Sequence, residues 1–273
     1  MIPLNFWKMN GNGNDFVVID RDGMAYGQLV DLTRRVCRRR RSIGADGVLV
    51  VEPSDNSDFR MRVFNSDGSE GEMCGNGARC IARYAFERGI APFEMSFETI
   101  AGIMKARVEG SFVNLDMGEV DLGKGWFGRK VPMAGGEVEA DFLIVGVPHL
   151  VIYLEDPEKV DREDLIRWGR ALREDRGLFP EGTNVNFVGP VDRRSVKVWT
   201  YERGVEDLTD SCGTGSCASA VAAVRRFDLE SPVTVYNPGG VNIVTANFRE
   251  DLCDIVLGGE AVVVAKGTIE EEA

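Results

Sequence analysis

The stretch Glu72-Met73-Cys74-Gly75-Asn76-Gly77-Ala78-Arg79-Cys80 decides how the rest of this 273-residue chain is organised. A cysteine stands directly before Gly-Asn-Gly, and apolar residues then recur at helical spacing. The pattern predicts that the Cys74 thiol lies at a turn that opens a helix. A thiol in that position is near the positive end of the helix dipole and near amide N–H groups, and both favour the thiolate.

A second copy of the pattern lies much later in the chain, at Asp210-Ser211-Cys212-Gly213-Thr214-Gly215-Ser216-Cys217. Each copy follows an alternating strand and carries an acidic residue two positions before the cysteine, Glu72 in the first and Asp210 in the second. Because the two halves run in parallel, the sequence predicts a duplicated α/β unit. We expect a cleft between the two units, with Cys74 on one wall and Cys212 on the other.

Composition excludes several classes of protein. A length of 273 residues suits one large domain or two ordinary ones, and 44% hydrophobic residues can build real cores. A net charge of −12 argues against nucleic-acid binding. No apolar run approaches the roughly 18 residues of a membrane span, and the N-terminus lacks the features of a secretory signal. We therefore expect a cytoplasmic protein without nucleic-acid or membrane partners.

The six cysteines do not suggest a disulfide scaffold in a chain of this length. The pairs Cys74/Cys80 and Cys212/Cys217 have spacings outside the tight chelating pattern of zinc sites, and His149 is the single histidine. No metal site is expected. The cysteines expected to pack in the interior as small apolar residues are Cys37, Cys80, Cys217 and Cys253.

Apolar periodicity predicts the order of helices and strands. The predicted helices cover residues 27–41, 76–89, 161–174 and 214–227. The predicted strands cover residues 4–9, 16–20, 48–51, 59–65, 93–100, 103–108, 112–117, 142–147, 151–154, 184–188 and 196–201, with more strands between 233 and 265. Residues 121–140 carry little signal, and we expect a crossover between domains there.

Two cysteine turns that face one ligand would suit a particular reaction. The glycines let the backbone approach an anion closely, so both helix starts could bind one carboxylate. A sulfur would then lie on each side of the adjacent carbon. One thiolate could remove the α-proton while the opposing thiol delivers a proton to the other face. Because the helix dipoles would stabilise the developing charge, no pyridoxal phosphate or other cofactor is expected.

At these residues the chain resembles the diaminopimelate epimerase family. The resemblance spans nearly the whole chain, and its specificity comes from several motifs together. The motifs are KMNGNGNDF (8–16), FNSDGSE (64–70), MCGNGARC (73–80), VPH (147–149), NVNF (184–187), YERG (201–204) and CGTG (212–215).

The resemblance implies a cofactor-independent isomerase that converts LL-diaminopimelate to the meso isomer, in lysine and peptidoglycan synthesis. It implies two pseudo-symmetric α/β domains, each a curved mixed or antiparallel sheet around a central helix, with the active site in the cleft between them. The expected domains are residues 1–118, completed by a C-terminal strand at 261–273, and residues 119–260. Family members often form dimers, so a homodimer is expected.

Carried over position by position, Cys74 and Cys212 would be the acid/base pair. The turns expected to hold the carboxylate at the reacting carbon are Gly75-Asn76 and Gly213-Thr214. The residues expected to hold the distal amino-acid group are Asn14, Asn65, Asn184, Glu202 and Arg203. An arginine fork suits a carboxylate, and the oxygens of glutamate and asparagine suit an ammonium group.

Three positions carry further expectations. Val147 stands where family members often have asparagine, and Gly47 stands where some carry a glutamine contact. His149 has two interpretations, a functional partner near the expected cleft or a structural hydrogen bond beside Pro148.

Two other functions stay open on the sequence. A racemase of the same fold could act on proline, hydroxyproline or histidine. Proline-racemase-like members usually have His after Met-Cys-Gly, where this chain has Asn76, and Glu202-Arg203 suit a second charged end. Both features favour diaminopimelate. A non-catalytic thiol redox or metal-binding module would explain the cysteines but not the amide, arginine and glutamate residues.

Overall fold

A computed structural model describes residues 4–20, 23–133 and 135–271. The chain divides into two compact units, Met1–Asp116 with Gly259–Ala273 and Met117–Gly258. In each unit, helices pack on the faces of a mixed sheet, so the predicted α/β class is confirmed.

The helices and strands have the following bounds within the described residues. The helices are α1 Tyr26–Val36, α2 Gly75–Glu87, α3 Arg162–Glu174 and α4 Gly213–Phe227. Strands that begin in the first unit are β1 Leu4–Gly11, β2 Asn14–Asp20, β3 Gly47–Glu52, β4 Phe59–Asn65, β5 Glu70–Gly71, β6 Glu94–Thr99, β7 Gly102–Glu109, β8 Phe112–Asp121 and β18 Val262–Ile269. Strands that begin in the second are β9 Trp126–Met133, β10 Gly136–Val145, β11 Val147–Tyr153, β12 Asn184–Asp192, β13 Ser195–Glu202, β14 Asp207–Thr209, β15 Val233–Asn237, β16 Gly240–Arg249 and β17 Leu252–Glu260.

Both units repeat one order of strand pairings. In the first, β1 and β2 are antiparallel, α1 leads from β2 to its parallel neighbour β3, and β4 returns antiparallel. The short strand β5 pairs with β4, α2 follows, and β6 then runs parallel to β4 and antiparallel to β7. The second unit repeats these steps with β10, β11, α3, β12, β13, β14, α4, β15 and β16. The predicted duplication is therefore confirmed.

The two helices of the first unit use different residues of the same strands. Val17 and Val48 pack in the core that includes α1. Their neighbours Phe16 and Leu49 lie close to α2, because a Cβ added to Gly77 would be 3.0 Å from Leu49 Cδ2 and 3.5 Å from the Phe16 ring. Since successive side chains of a strand point to opposite faces, α1 and α2 lie on opposite faces of this sheet. This arrangement explains why β2 and β3 read as continuous apolar runs.

The second unit has the same layers. Leu150 and Ile152 of β11 pack in the core that includes α3, whereas Val151 between them packs in the core around α4. Helix α4 is buried along most of its length and packs against β10, β11, β12, β13, β15 and β16. It is the helix that the apolar run after Cys212 predicts, and it lies in the central place that the family resemblance implies.

Helix α1 ends at Val36, earlier than the predicted residue 41. The N–H of Gly44 donates to the Val36 carbonyl at 2.8 Å and closes the helix end. Arg39 then pairs with Asp15 and Asp46 at 2.6 and 2.8 Å. Arg39 thus lies beyond the helix end and pairs with Asp15, 24 positions away, a contact that no local periodicity could have shown.

Within residues 121–140, the described residues include two paired strands instead of the predicted crossover. A short 3-10 helix, Leu122–Lys124, leads into β9, which pairs antiparallel with β10. Most side chains of β9 and of the first half of β10 are at least partly exposed. The strands therefore carry few of the apolar residues by which strands are recognised in a sequence.

Candidate active site

Cys74 is the N-cap residue of α2, as the sequence predicts. Its backbone is extended (φ −140°, ψ 117°), and the N–H of Ala78 donates to its carbonyl at 2.7 Å. The N–H groups of Gly75, Asn76 and Gly77 precede this first intrahelical hydrogen bond. The predicted carboxylate-binding turn therefore has the backbone position at which helix starts bind anions.

Two predicted substrate ligands of the first unit meet at this helix start. The Nδ2 group of Asn76 donates to Oδ1 of Asn14 at 3.0 Å. Gly11, at the end of β1, approaches the same turn so closely that an added Cβ would lie 2.9 Å from the Asn76 carbonyl oxygen. Asn65 is the last residue of β4, and its Nδ2 donates to Oγ of Ser69 at 3.0 Å.

Gly47 is opposite Asn65 in the β3–β4 ladder. A Cβ added to Gly47 would lie 2.5 Å from the carbonyl oxygen of Phe64 and 3.6 Å from the Phe16 ring. The glutamine that some family members carry here would need the two strands to move apart. In this chain the position serves the close approach of β3 to β4.

We expect Gly47→Ala to lower the free energy of unfolding by about 1–3 kcal/mol, because the added methyl overpacks a buried backbone. Urea denaturation followed by circular dichroism measures the change. The matched control is Gly27→Ala in the first turn of α1, where an added Cβ meets nothing within 4 Å. That substitution should leave stability equal or raise it by up to about 1 kcal/mol. Equal stabilities of the two variants would contradict the crowding at Gly47.

Cys212 occupies the equivalent place in the second unit. It is the N-cap residue of α4, with φ −114° and ψ 115°, and only 7% of it is exposed. Its sulfur accepts the N–H of Gly215 at 3.4 Å and lies 3.5 Å from Oγ1 of Thr214. A hydrogen bond from an amide to sulfur favours the thiolate over the thiol. This chemistry was expected from the Cys-Gly-Thr-Gly turn.

Behind this turn lies a buried polar cluster that was not predicted from the sequence. Asn186 is fully buried, and its Oδ1 accepts the hydroxyl of Thr200 at 2.9 Å. A Cβ added to Gly215 would be 2.5 Å from that same oxygen. Asn184 and Asn186 are two positions apart in β12, so their side chains share one face of the strand. The two asparagines at this spacing in an otherwise apolar strand were the sequence feature that could have indicated the cluster.

His149 belongs to this cluster and is not exposed at all. Asn186 Nδ2 donates both to the Leu150 carbonyl at 3.0 Å and to Nδ1 of His149 at 3.2 Å. The carbonyl identifies Nδ2 as the amide nitrogen, so the histidine must accept at Nδ1 and carry its proton at Nε2. Burial and then the charge of Arg203 lower the pKa of His149 to about 3. The structural hydrogen bond is thus present, and the ring is neutral at pH 7.

The remaining predicted residues of the second unit lie at the ends of β12 and β13. Asn184 accepts the backbone N–H of Arg203 at its Oδ1 at 2.7 Å, and Nη1 of Arg203 donates to the Glu181 carbonyl at 2.9 Å. Burial raises the pKa of the Glu202 carboxyl, although a hydrogen bond with Thr209 acts in the opposite direction. Asn184, Glu202 and Arg203 therefore form one group.

The loop before Cys212 is held by a second set of buried polar residues. Asn242 of β16 is fully buried, and its Nδ2 lies 2.9 Å from Oγ of Ser216 and 3.4 Å from Oγ of Ser211. The two serines flank the cysteine turn in the sequence. These contacts tie the start of α4 to the β15–β16 hairpin, a link that no local pattern indicates.

The other cysteines are buried, as predicted. Burial raises the pKa of Cys37 to about 11, of Cys80 to about 12 and of Cys253 to about 11. Cys217 packs in the core around α4. Cys37, Cys80 and Cys253 stay protonated at neutral pH, and all four pack as small apolar side chains.

Among residues 4–20, 23–133 and 135–271, no three His, Cys, Asp or Glu side chains are grouped so that they could hold a metal ion. None of the helices in the described part of the chain combines the length and the apolar character that a membrane crossing requires.

Several solved structures share this fold at low sequence identity. A phenazine biosynthesis protein of the PhzF family from Bacillus anthracis superposes with a TM-score of 0.73 at 15% identity, over 99% of this chain and 100% of that one. A hydroxyproline epimerase from Agrobacterium vitis gives a TM-score of 0.68 at 16% identity, over 99% and 93% of the two chains. At these identities the likeness shows the shared fold alone.

The sequence relatives are much closer. A diaminopimelate epimerase from Aquifex aeolicus is 42% identical, over 98% of this chain and 99% of the relative. One from Archaeoglobus fulgidus is 44% identical, over 94% of each chain. The family model for diaminopimelate epimerase matches residues 6–123 and 142–264, which include both cysteine turns. The chain therefore belongs to the diaminopimelate epimerase family.

Proposed function

We propose that this protein is an isomerase that interconverts LL- and meso-diaminopimelate without a cofactor, in lysine and peptidoglycan synthesis. The observation that carries the proposal is the pair of matched helix starts, each with a cysteine as its N-cap residue and glycines in its first turn. Membership of the diaminopimelate epimerase family supports the choice of substrate. A racemase of proline, hydroxyproline or histidine is the alternative.

In the proposed reaction, Cys74 and Cys212 act on opposite faces of one α-carbon. The thiolate of one cysteine takes the α-proton, so the C–H bond breaks, an S–H bond forms and the electron pair stays on the carbon beside the carboxylate. The thiol of the other cysteine then gives its proton to the opposite face. The two sulfurs end in exchanged protonation states, which are those needed for the reverse reaction.

The backbone of the two turns would stabilise this step. The N–H groups of Gly75-Asn76 and Gly213-Thr214 are proposed to bind the carboxylate of the reacting centre, where negative charge develops. The amide hydrogen bond to the sulfur of Cys212 supports its proposed role, because it favours the thiolate.

The distal amino-acid group is proposed to bind polar side chains of both units. These residues are Asn14, Asn65, Asn184, Glu202 and Arg203. The guanidinium group of Arg203 suits the distal carboxylate. Glu202 suits an ammonium, because a bound cation would favour the charged form of a carboxyl whose pKa burial has raised. Val147 has no polar atom in its side chain and is assigned no contact.

The deciding experiment is solvent exchange in heavy water with LL-diaminopimelate and no added cofactor. We expect meso-diaminopimelate to form, with deuterium at the inverted α-carbon, as measured by NMR and mass spectrometry. Heat-denatured protein is the control. If the purified protein leaves the α-carbon undeuterated, the proposed function is wrong. Proline, hydroxyproline and histidine are tested in parallel, and exchange into one of them alone would favour the alternative.

We also propose a homodimer in the cytoplasm, as the family resemblance implies. Light scattering after size-exclusion chromatography measures the mass in solution. A mass of one chain, 30.0 kDa, at micromolar concentration would contradict the dimer.

A further inference from the structure

A chain of side-chain hydrogen bonds runs through the start of α2 in the first unit. The buried guanidinium of Arg79 donates from Nη2 to Oδ1 of Asn76 at 2.7 Å. Asn76 donates from Nδ2 to Oδ1 of Asn14 at 3.0 Å, and Asn14 donates from Nδ2 to Oδ2 of Asp46 at 2.9 Å. Every donor therefore points the same way, from a cation at one end to an anion at the other.

The two ends impose the same orientation on both amide groups. Arginine has donors only, so the atom of Asn76 that faces Arg79 must be its oxygen. An ionised carboxylate has acceptors only, so the atom of Asn14 that faces Asp46 must be its nitrogen. Turning either amide by 180° would place two donors or two acceptors together. The orientation of the two amide groups is thus determined independently by Arg79 at one end and by Asp46 at the other.

Asp46 is itself held firmly in the loop before β3. Its Oδ2 also accepts the backbone N–H of Asp15 at 3.1 Å, and its Oδ1 accepts Nη2 of Arg39 at 2.8 Å. The N–H of Asp46 donates to Oδ1 of Asp15 at 3.0 Å in return. The carboxylate therefore has a defined place from which it can orient Asn14, although its side chain is 40% exposed.

We propose that Asp46 is a positioning residue for the reaction: together with Arg79, it fixes the amide groups of Asn14 and Asn76 at the start of α2. This inference rests on the proposed function, in which Asn14 and the Gly75-Asn76 turn bind the substrate. With Oδ1 of Asn14 engaged by Asn76, the orientation leaves Asn14 presenting an N–H to its ligand. Loss of Asp46 would remove the hydrogen bond that holds this NH₂ group and would leave Asn14 oriented through Asn76 alone.

Kinetics of a double-mutant cycle with Asn14 test the inference. Asp46→Ala is expected to raise KM for diaminopimelate about tenfold with little change of kcat, since it weakens binding in ground and transition states alike. Asp46→Asn should restore most of the loss, because its oxygen can still accept from Asn14. In an Asn14→Ala background, Asp46→Ala should add no further loss. An equal fold-loss in both backgrounds would show that Asp46 acts only through general stability and would overturn the proposal.

Asp254→Ala is the matched control for these kinetics. Asp254 also pairs with an arginine, Arg249, at 2.7 Å, and its side chain is 43% exposed. Its removal takes away a comparable ion pair and leaves the hydrogen bonds at the start of α2 in place. We expect KM and kcat of this variant to equal those of the original protein.

A second measurement separates the inference from the proposed function. The side-chain NH₂ signals of Asn14 and Asn76 can be followed by ¹⁵N NMR in the ligand-free protein. Asp46→Ala should shift the signal of Asn14 through the lost hydrogen bond and the signal of Asn76 through Asn14, and Asp254→Ala should shift neither. If the signal of Asn76 does not move in Asp46→Ala, the proposal is overturned whatever the activity. If the original protein shows no exchange in heavy water, the proposed function fails. The NMR result still decides whether the series of hydrogen bonds from Arg79 to Asp46 is present.

Discussion

Cys212→Ala and Cys74→Ala are each expected to lower kcat for epimerisation by about 10³–10⁴-fold. Proton transfer by a positioned side chain typically raises the reaction rate by about 10²–10⁴-fold. Inversion needs both a base on one face of the carbon and an acid on the other. Loss of either sulfur removes one of the two steps. The measurement is the rate of conversion of LL- to meso-diaminopimelate at saturating substrate, with circular dichroism to show that each variant is folded.

The chain offers matched controls for both substitutions. Cys80 lies inside α2 and Cys217 inside α4, and both are fully buried. Cys80→Ala and Cys217→Ala remove a sulfur from the same helices without touching the helix starts. We expect kcat to stay within about threefold, with a stability loss of about 1 kcal/mol from the small cavity. Undiminished turnover in Cys74→Ala or Cys212→Ala would refute the two-base mechanism.

Deuterium exchange at the α-carbon without inversion would show which stereoisomer each cysteine acts on. A variant that keeps one of the two proposed acid/base cysteines can still remove and return the α-proton on one face of the carbon. In heavy water, Cys74→Ala and Cys212→Ala should therefore each label one stereoisomer without converting it, and the two variants should label opposite stereoisomers. Labelling of the same stereoisomer by both variants would contradict the placement of the sulfurs on opposite faces.

The parts of the site that the sequence predicted are local ones. A cysteine before Gly-Xaa-Gly and an apolar helical run define a helix start within a few residues, so Cys74 and Cys212 were placed correctly as N-cap residues. The duplication was also visible, because each half repeats the same order of strand, turn and helix. Period and turn chemistry act over short stretches of chain, which is why they could be interpreted without a structure.

The parts that the sequence did not reveal depend on contacts between distant residues. Asp46 reaches Asn14 across 32 positions, and Asn186 reaches His149 across 37. Asp46 follows a glycine and an alanine in an ordinary polar loop, and nothing in its neighbours indicates a role at α2. The pairing of β9 and β10 was not predicted for another reason. Strands with largely exposed side chains lack the alternation of apolar and polar residues by which strands are recognised. Long-range polar contacts and exposed strands are therefore the two kinds of feature that could not be predicted from this sequence.

The crowding around Gly215 leads to the second large effect. We expect Gly215→Ala to lower kcat by about 100-fold, because displacement of a catalytic group by about 1 Å can cost that much. The added Cβ would lie 2.5 Å from Oδ1 of Asn186, 3.1 Å from Oγ1 of Thr200 and 3.2 Å from Cβ of Cys212. Asn186 cannot turn away without losing its hydrogen bonds to Leu150 and Thr200. The helix start must therefore move, and the sulfur of Cys212 with it.

Gly136→Ala is the matched control for this substitution, since an added Cβ there meets nothing within 4 Å. Both variants gain one methyl group in the second unit, so the comparison isolates the place where it is added. Gly215→Ala should also lower the free energy of unfolding by about 1–3 kcal/mol through overpacking, whereas Gly136→Ala should leave activity and stability nearly unchanged. The rate of thiol alkylation at Cys212 is a second readout, and it should fall in Gly215→Ala at fixed pH if the amide hydrogen bond to the sulfur is lost. A Gly215→Ala protein with full kcat and an unchanged alkylation rate would show that the turn tolerates a side chain and that the amide of Gly215 has no part in activating the thiol.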